Sequence, residues 1–194
     1  MKKNFAMQLL TSCFLLLSVA VTAQMNQSGI YMTADDYKAQ KLNYATSYNV
    51  SEKINDFVFL DASQVKVTYQ GKTITLNKDD VFGYRNNKGE DFRFVDNNSY
   101  RILNPGQDLL IYEYTRPGTD PRERAPITNF FFTRNINDNP RELTKDNLRK
   151  AFRDNKKFQG VIYETFKNDE DLLTLDNIKK MYKLNTLYNT MVKQ

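Results

Sequence analysis

The chain has 194 residues, with 28 Lys and Arg against 23 Asp and Glu, a formal charge of +5, 13 Phe and 12 Tyr, but no His, no Trp and one Cys. The absence of histidine excludes Ser-His-Asp and Cys-His nucleophile systems, HExxH zinc sites and histidine acid–base catalysis. The positive charge is mild and not gathered on one face, so nucleic acid is not an expected partner.

Met1-Lys2-Lys3 is a basic start. An apolar stretch follows from Phe5 and is densest at Phe14-Leu15-Leu16-Leu17-Ser18-Val19-Ala20-Val21. Val21-Thr22-Ala23 then places small or β-branched residues before Gln24. Basic, apolar, small is the order of a secretory signal peptide, with cleavage expected at Ala23-Gln24 and a protein working in the periplasm, at the cell surface or outside the cell. Two rival readings compete with it. A spanning anchor needs ~20 predominantly apolar residues, and this stretch is broken by Gln8, Thr11, Ser12 and Thr22. Leu10-Thr11-Ser12-Cys13 reads like a lipobox, but only Phe5 to Leu10 precede the cysteine, and the most apolar residues follow it. Removing the first 23 residues leaves 171, enough for one domain over 24–194, with no thiol, no disulfide and no transmembrane helix; the charge falls to +3 as Lys2 and Lys3 leave.

In chain order, Gln24 to Gly29 reads as a loose leader. Thr33 caps a short helix to about Lys41, with Asp35 and Asp36 favouring its dipole. Asn43 to Lys53 reads as a polar connection. From Ile54 the period becomes two, through Phe57 and Phe59, then Val65, Val67 and Tyr69. Gln70-Gly71 turns this strand into Lys72 to Leu76. Val81 to Arg85 and Asp91 to Val95 flank the turn Asn86-Asn87-Lys88-Gly89. Strands at Ser99 to Leu103 and Asp108 to Tyr114 flank the turn Asn104-Pro105-Gly106-Gln107. Arg116 to Pro126 is a loop, and Ile127 to Arg134, with Phe130-Phe131-Phe132, suits a strand covered on both faces.

Helices return at Thr144, a cap with a Leu143–Leu148 staple. Leu148, Ala151 and Phe152 share one face. Phe158, Val161, Ile162 and Phe166 make a second apolar set, and Leu175, Ile178, Met181, Tyr182, Tyr188 and Met191 a third, longer helix. The sum is α+β: an antiparallel β-meander of about seven or eight strands, with a short N-terminal helix and a C-terminal helical segment. The β-rich part is 54–134 and the helical part 144–192. The helices cover the sheet, or the sheet closes into a barrel.

Carboxylates are the remaining acid–base candidates: Asp79-Asp80, Glu90-Asp91 and Asp169-Glu170-Asp171. Strand neighbours point to opposite faces, so these runs do not supply the facing pair a glycosidase needs. Asp79-Asp80 suits a turn, and the third run suits the start of the last helix. Asn135 to Asn139 has oxygen ligands at alternate positions, but Pro140 stands where a calcium loop needs glycine; a turn is expected there. The basic cluster Arg149, Lys150, Arg153, Lys156 and Lys157 alternates with Asp146 and Asp154 and reads as a solvated face. No catalytic, cofactor or metal residues are assigned. Tyr84, Phe92, Phe94, Tyr100, Tyr112 and Tyr114 form a stripe that packs a core or lines a ligand surface. For the latter the tyrosines Tyr84, Tyr100, Tyr112 and Tyr114 are the candidates.

Ser28-Gly29-Ile30-Tyr31-Met32-Thr33, Gly71-Lys72, Val81-Phe82-Gly83-Tyr84, Ile111-Tyr112, Phe130-Phe131-Phe132, Leu143-Thr144-Lys145-Asp146-Asn147-Leu148 and Met181-Tyr182-Lys183-Leu184-Asn185 follow in order. This order, with the Ala23-Gln24 junction, resembles a group of small secreted proteins of the Bacteroidota whose function is uncharacterised. The resemblance implies a Gram-negative envelope and brings no catalytic residues. The expectation is therefore an exported, non-enzymatic binding or structural module, without cofactor, whose partner is an envelope protein, a glycan or a lipid. The alternatives are an apolar-ligand or glycan binder on the tyrosine-rich sheet, and a carboxylate-dependent glycan hydrolase.

Overall fold

A computed structural model describes residues 27–47, 54–55, 63–116 and 125–193. The expected signal peptide with Cys13, the strand through Phe57 and Phe59, and residues 117–124 of the expected loop lie outside the described residues. Among the described residues, no helix is long and apolar enough to cross a membrane.

Helix and sheet are mixed, and the centre is an antiparallel sheet of eight strands. Six of them follow the chain as a meander: β6 (Gly83–Arg85), β7 (Asp91–Val95), β8 (Asn98–Ile102), β9 (Leu110–Arg116), β10 (Ile127–Thr133) and β11 (Arg141–Glu142). The other two are β1 (Gln27–Tyr31), which pairs with β6, and β2 (Asn43–Ser47) outside it. These two correct the expected leader and polar connection. In β1, Ile30 and Tyr31 are both buried, one on each face, so the strand shows no alternation. β2 is a polar edge strand, and polar edges resemble loops in sequence. Gly83 is required where β6 meets β7: a Cβ there would lie 1.9 Å from the Phe92 carbonyl oxygen.

Between β1 and β2, Thr33 Oγ1 accepts from the Asp36 backbone N–H at 3.0 Å and caps α1 (Ala34–Lys38). This element is a single turn, ended by Gln40 at φ 54°, and does not reach Lys41. It connects two strands of the sheet. The expected N-terminal helix therefore does not bracket the sheet; a single capped turn between β1 and β2 stands in its place.

The hairpin at Gln70-Gly71 forms as β4 (Gln64–Tyr69) and β5 (Lys72–Asn77), with both turn residues left-handed at φ 50° and 74°, as a type I′ turn demands. It does not join the meander. With β3 (Ile54–Asn55) it makes a separate three-stranded sheet, whose Val65 and Val67 pack on Ile30, Tyr84 and Phe94.

At the C-terminal end Thr144 caps α2 (Lys145–Ala151), accepting from the Asn147 N–H at 3.1 Å, and Leu143 and Leu148 enter one core. Next come α3 (Lys156–Thr165) and a 3₁₀ turn over Glu170–Leu173. The third long helix does not form. Leu175–Asp176 (β12) and Met181–Tyr182 (β13) pair as a hairpin, and α4 covers only Lys183–Met191. Asp176 Oδ1 accepts from the Ile178 and Lys179 N–H groups at 3.0 and 3.1 Å, and this closed turn overrides the helical spacing. Ile178 is 92% exposed at its tip.

Strand register divides the large sheet into two faces. On one, Ile111 and Phe132 pack under α2 to α4 with Leu148, Phe152, Phe158, Ile162 and Leu184, while Tyr84, Phe94 and Ile30 pack under the three-stranded sheet. On the other, Tyr31, Ile102, Leu110 and Tyr112 pack with Tyr37 of α1 and Ile136 of the segment 134–140. The strand order has two ends, β11 and β2, so the described sheet is open.

Candidate functional site

The four candidate tyrosines do not share a surface. Tyr84 lies in the core beneath the three-stranded sheet, its ring stacked on Phe92 at 4.7 Å and 5°. Tyr100, Tyr112 and Tyr114 point to the opposite face. Tyr112 is fully buried, and its hydroxyl lies 3.1 Å from Thr133 Oγ1 and accepts from Arg93 Nη1 at 3.3 Å. Tyr100 and Tyr114 are half-buried, with ring centres 5.1 Å apart, and Phe131 meets Tyr100 edge-on at 5.3 Å. Only these two reach solvent. Tyr114 Oη donates to Asn98 Oδ1 at 2.9 Å.

The acidic runs separate as strand geometry requires. Asp91 turns to the Tyr31 face, where it accepts from Arg85 Nε at 2.7 Å, Arg85 Nη2 at 2.8 Å and Tyr31 Oη at 2.9 Å. Arg85 also donates to Gln40 Oε1. Burial above all, and then the Asp91 charge, push the Tyr31 hydroxyl far up. Glu90 turns the other way and shares Arg101 with Glu113, at 2.9 and 2.7 Å. Both glutamates line a groove of about 390 Å³ with Phe92, Ser99 and Thr115. Two carboxylates in one groove are what a glycosidase needs, but Glu90 does not suit the proton donor's part. The hydrogen bond from Asn86 first, and with it Arg101, outweigh burial and hold the Glu90 carboxyl below the usual range. A proton donor needs the opposite. Asp80 accepts from Asn77 at 2.9 Å in an exposed turn. Asp169 does not serve the last helix, because its Oδ1 accepts from the Lys145 N–H at the start of α2, at 2.8 Å.

Asn135 to Asn139 forms the expected turn: Asp138 N–H donates to the Asn135 carbonyl at 3.1 Å, and Asp138 Oδ2 accepts from Asn135 N and Nδ2 at 3.2 and 3.3 Å. No group of three acidic, His or Cys residues that could hold a metal occurs among the described residues. The turn is anchored from beneath. Arg93, only 6% exposed, donates to the Asp138 carbonyl at 2.9 Å, and Ile136 packs beside the Tyr112 core.

This anchored turn forms a wall common to two adjoining clefts. One, of about 730 Å³, is lined by Thr133, Arg134, the three asparagines, Asp138, Arg141, Lys150 and Arg153. The other, of about 620 Å³, shares Arg134, Asn135 and Asn137 and extends to Tyr37, Gln40, Gln107 and Tyr188. Arg134 is held by the Ala151 carbonyl, by Asp154 at 3.6 Å and over the Phe152 ring at 4.5 Å. The basic cluster is exposed, as expected of a solvated face, and Arg149 and Lys150 both pair with Asp146 at 2.6 Å. Lys150 and Arg153 also border the first cleft with Arg134 and Arg141. Sequence reasoning missed Arg134 and Arg141. The one local signal was a cation on each side of the turn, and nothing local indicates that α2 closes over it.

No protein-family model, curated protein or solved structure matches this chain.

Proposed function

We propose that the protein is an exported, non-enzymatic binding module of the cell envelope, released to the periplasm or cell surface by cleavage near Ala23-Gln24. The observation that carries the binding reading is the pair of adjoining clefts around the Arg93-anchored turn. Their volumes fall in the ~300–1,000 Å³ range of ligand sites. They are walled by hydrogen-bonding groups on a fixed loop, and preorganisation of this kind lowers the entropic cost of binding. The export reading rests on the basic–apolar–small order of the first 23 residues and fits the likeness to secreted Bacteroidota proteins. Mass spectrometry of the N-terminus from producing cells tests it: a chain starting at Gln24 supports it, and an acylated Cys13 or an uncleaved start overturns it. A broad hydrolase screen of the purified protein tests the non-enzymatic part, which turnover would refute.

A second reading, a glycan or apolar-ligand binder on the tyrosine-rich sheet, is favoured by one feature: the half-exposed Tyr100, Tyr114 and Phe131 rings. Loss of glycan binding on Tyr114→Ala, with the clefts intact, would favour it over the first.

A further inference from the structure

We propose that the 730 Å³ cleft binds a phosphate-bearing ligand. This rests on the binding-module reading and names the ligand chemistry for that site. Among the described residues, four cations line the cleft, Arg134, Arg141, Lys150 and Arg153, against one carboxylate, Asp138. That carboxylate is occupied by Asn135. Lys150 has a counter-ion in Asp146 at 2.6 Å and Arg134 in Asp154 at 3.6 Å. Among the described residues, the side chains of Arg141 and Arg153 have neither an ion-pair nor a hydrogen-bond partner.

These two come from neighbouring elements, Arg141 from the edge strand β11 and Arg153 from the segment after α2. Like charges brought into one cleft repel, and a bound anion relieves the repulsion. A carboxylate matches one guanidinium fork. A phosphate carries ~1.5–2 negative charges and three acceptor oxygens, enough for two arginines at once. The amides of Asn135, Asn137 and Asn139 add donors and acceptors for whatever the phosphate is attached to. Arg93 fixes the turn that carries them without lining the cleft itself.

The test is calorimetric titration of the purified protein with inorganic pyrophosphate at about 0.15 M salt. Saturable binding that weakens as salt rises is expected. The double variant Arg141→Ala/Arg153→Ala, both positions exposed, should lose at least ~10-fold in affinity with unchanged thermal unfolding, as expected for two charge-assisted contacts. Lys156→Ala/Lys157→Ala removes the same charge from α3, outside the cleft, and should stay within about twofold. Glucose 6-phosphate and phosphatidic-acid vesicles, against phosphatidylcholine vesicles, separate the two sources of phosphate. Arginine-dependent capture by acidic vesicles alone assigns a lipid headgroup, and arginine-dependent binding of the soluble ligands assigns a free phosphate ester. No pyrophosphate binding up to millimolar concentration, or equal losses in both double variants, would overturn the proposal. Binding of a neutral oligosaccharide in that case would leave the binding-module reading standing.

Discussion

At the scale of single residues, the informative groups are buried polar ones whose partners lie far away in the chain. Arg93 ties the β7 strand to the Asp138 carbonyl, 45 residues on, and to the Tyr112 hydroxyl. Arg93→Met should lower stability by about 1.5–3 kcal/mol, because the buried Tyr112 hydroxyl and the part-buried Asp138 carbonyl lose a charged donor, and it should also raise hydrogen exchange through 134–140; urea unfolding and exchange mass spectrometry measure both. Glu90 sets an acid limit. Its folded-state pKa is depressed, so its stabilisation is present above the unfolded value of ~4.3 and is lost as pH falls through the lower folded value. The urea midpoint should therefore drop across the carboxylate range in the wild type, and drop less steeply in Glu90→Gln. Nothing local marks either residue. An arginine within β7 and a glutamate just before it read as solvent-facing, and only cross-strand register decides which of them is covered.

At the scale of elements, turn chemistry and caps were readable because they are local. Gln70-Gly71 and the Thr144 cap act within four residues of themselves. The third helix misled because its apolar spacing is matched by a hairpin that Asp176 closes through its own backbone neighbours. What seats α4 is also a polar device. Asn185, fully buried, donates to the Leu109 carbonyl at 2.8 Å and accepts from Asn104 Nδ2 at 3.0 Å, while Asn104 Oδ1 accepts from the Ile111 N–H at 2.7 Å. Asn185→Ala strips the Asn104 amide of a buried partner and leaves a void. A loss of about 2–4 kcal/mol is expected, by thermal or urea unfolding. Ile178→Lys at the hairpin tip should change stability by less than about 0.5 kcal/mol, since nothing is uncovered.

At the scale of the whole molecule, one sheet face serves two separate cores, one under the C-terminal helices and one under the three-stranded sheet. A chain ending after Glu142 would expose Leu109, Ile111 and Phe132, all about 1% exposed or less. It should fail to reach a cooperative fold and should bind a hydrophobic dye such as ANS, whereas the full chain should melt in a sharp transition.

Short-range pattern was enough to place the strands and turns over the described residues between Val65 and Thr133, the capped α2 and the α+β class, because side-chain period and backbone preference are properties of short stretches. Long-range packing alone settled that β1 and β2 join the meander beside β6, that β4 and β5 leave it for a second sheet, and that Tyr84 and Tyr112 face opposite ways. These outcomes depend on which sheet edge is paired and which apolar face is covered. That choice is made by burial between segments far apart in the chain, and no local pattern encodes it.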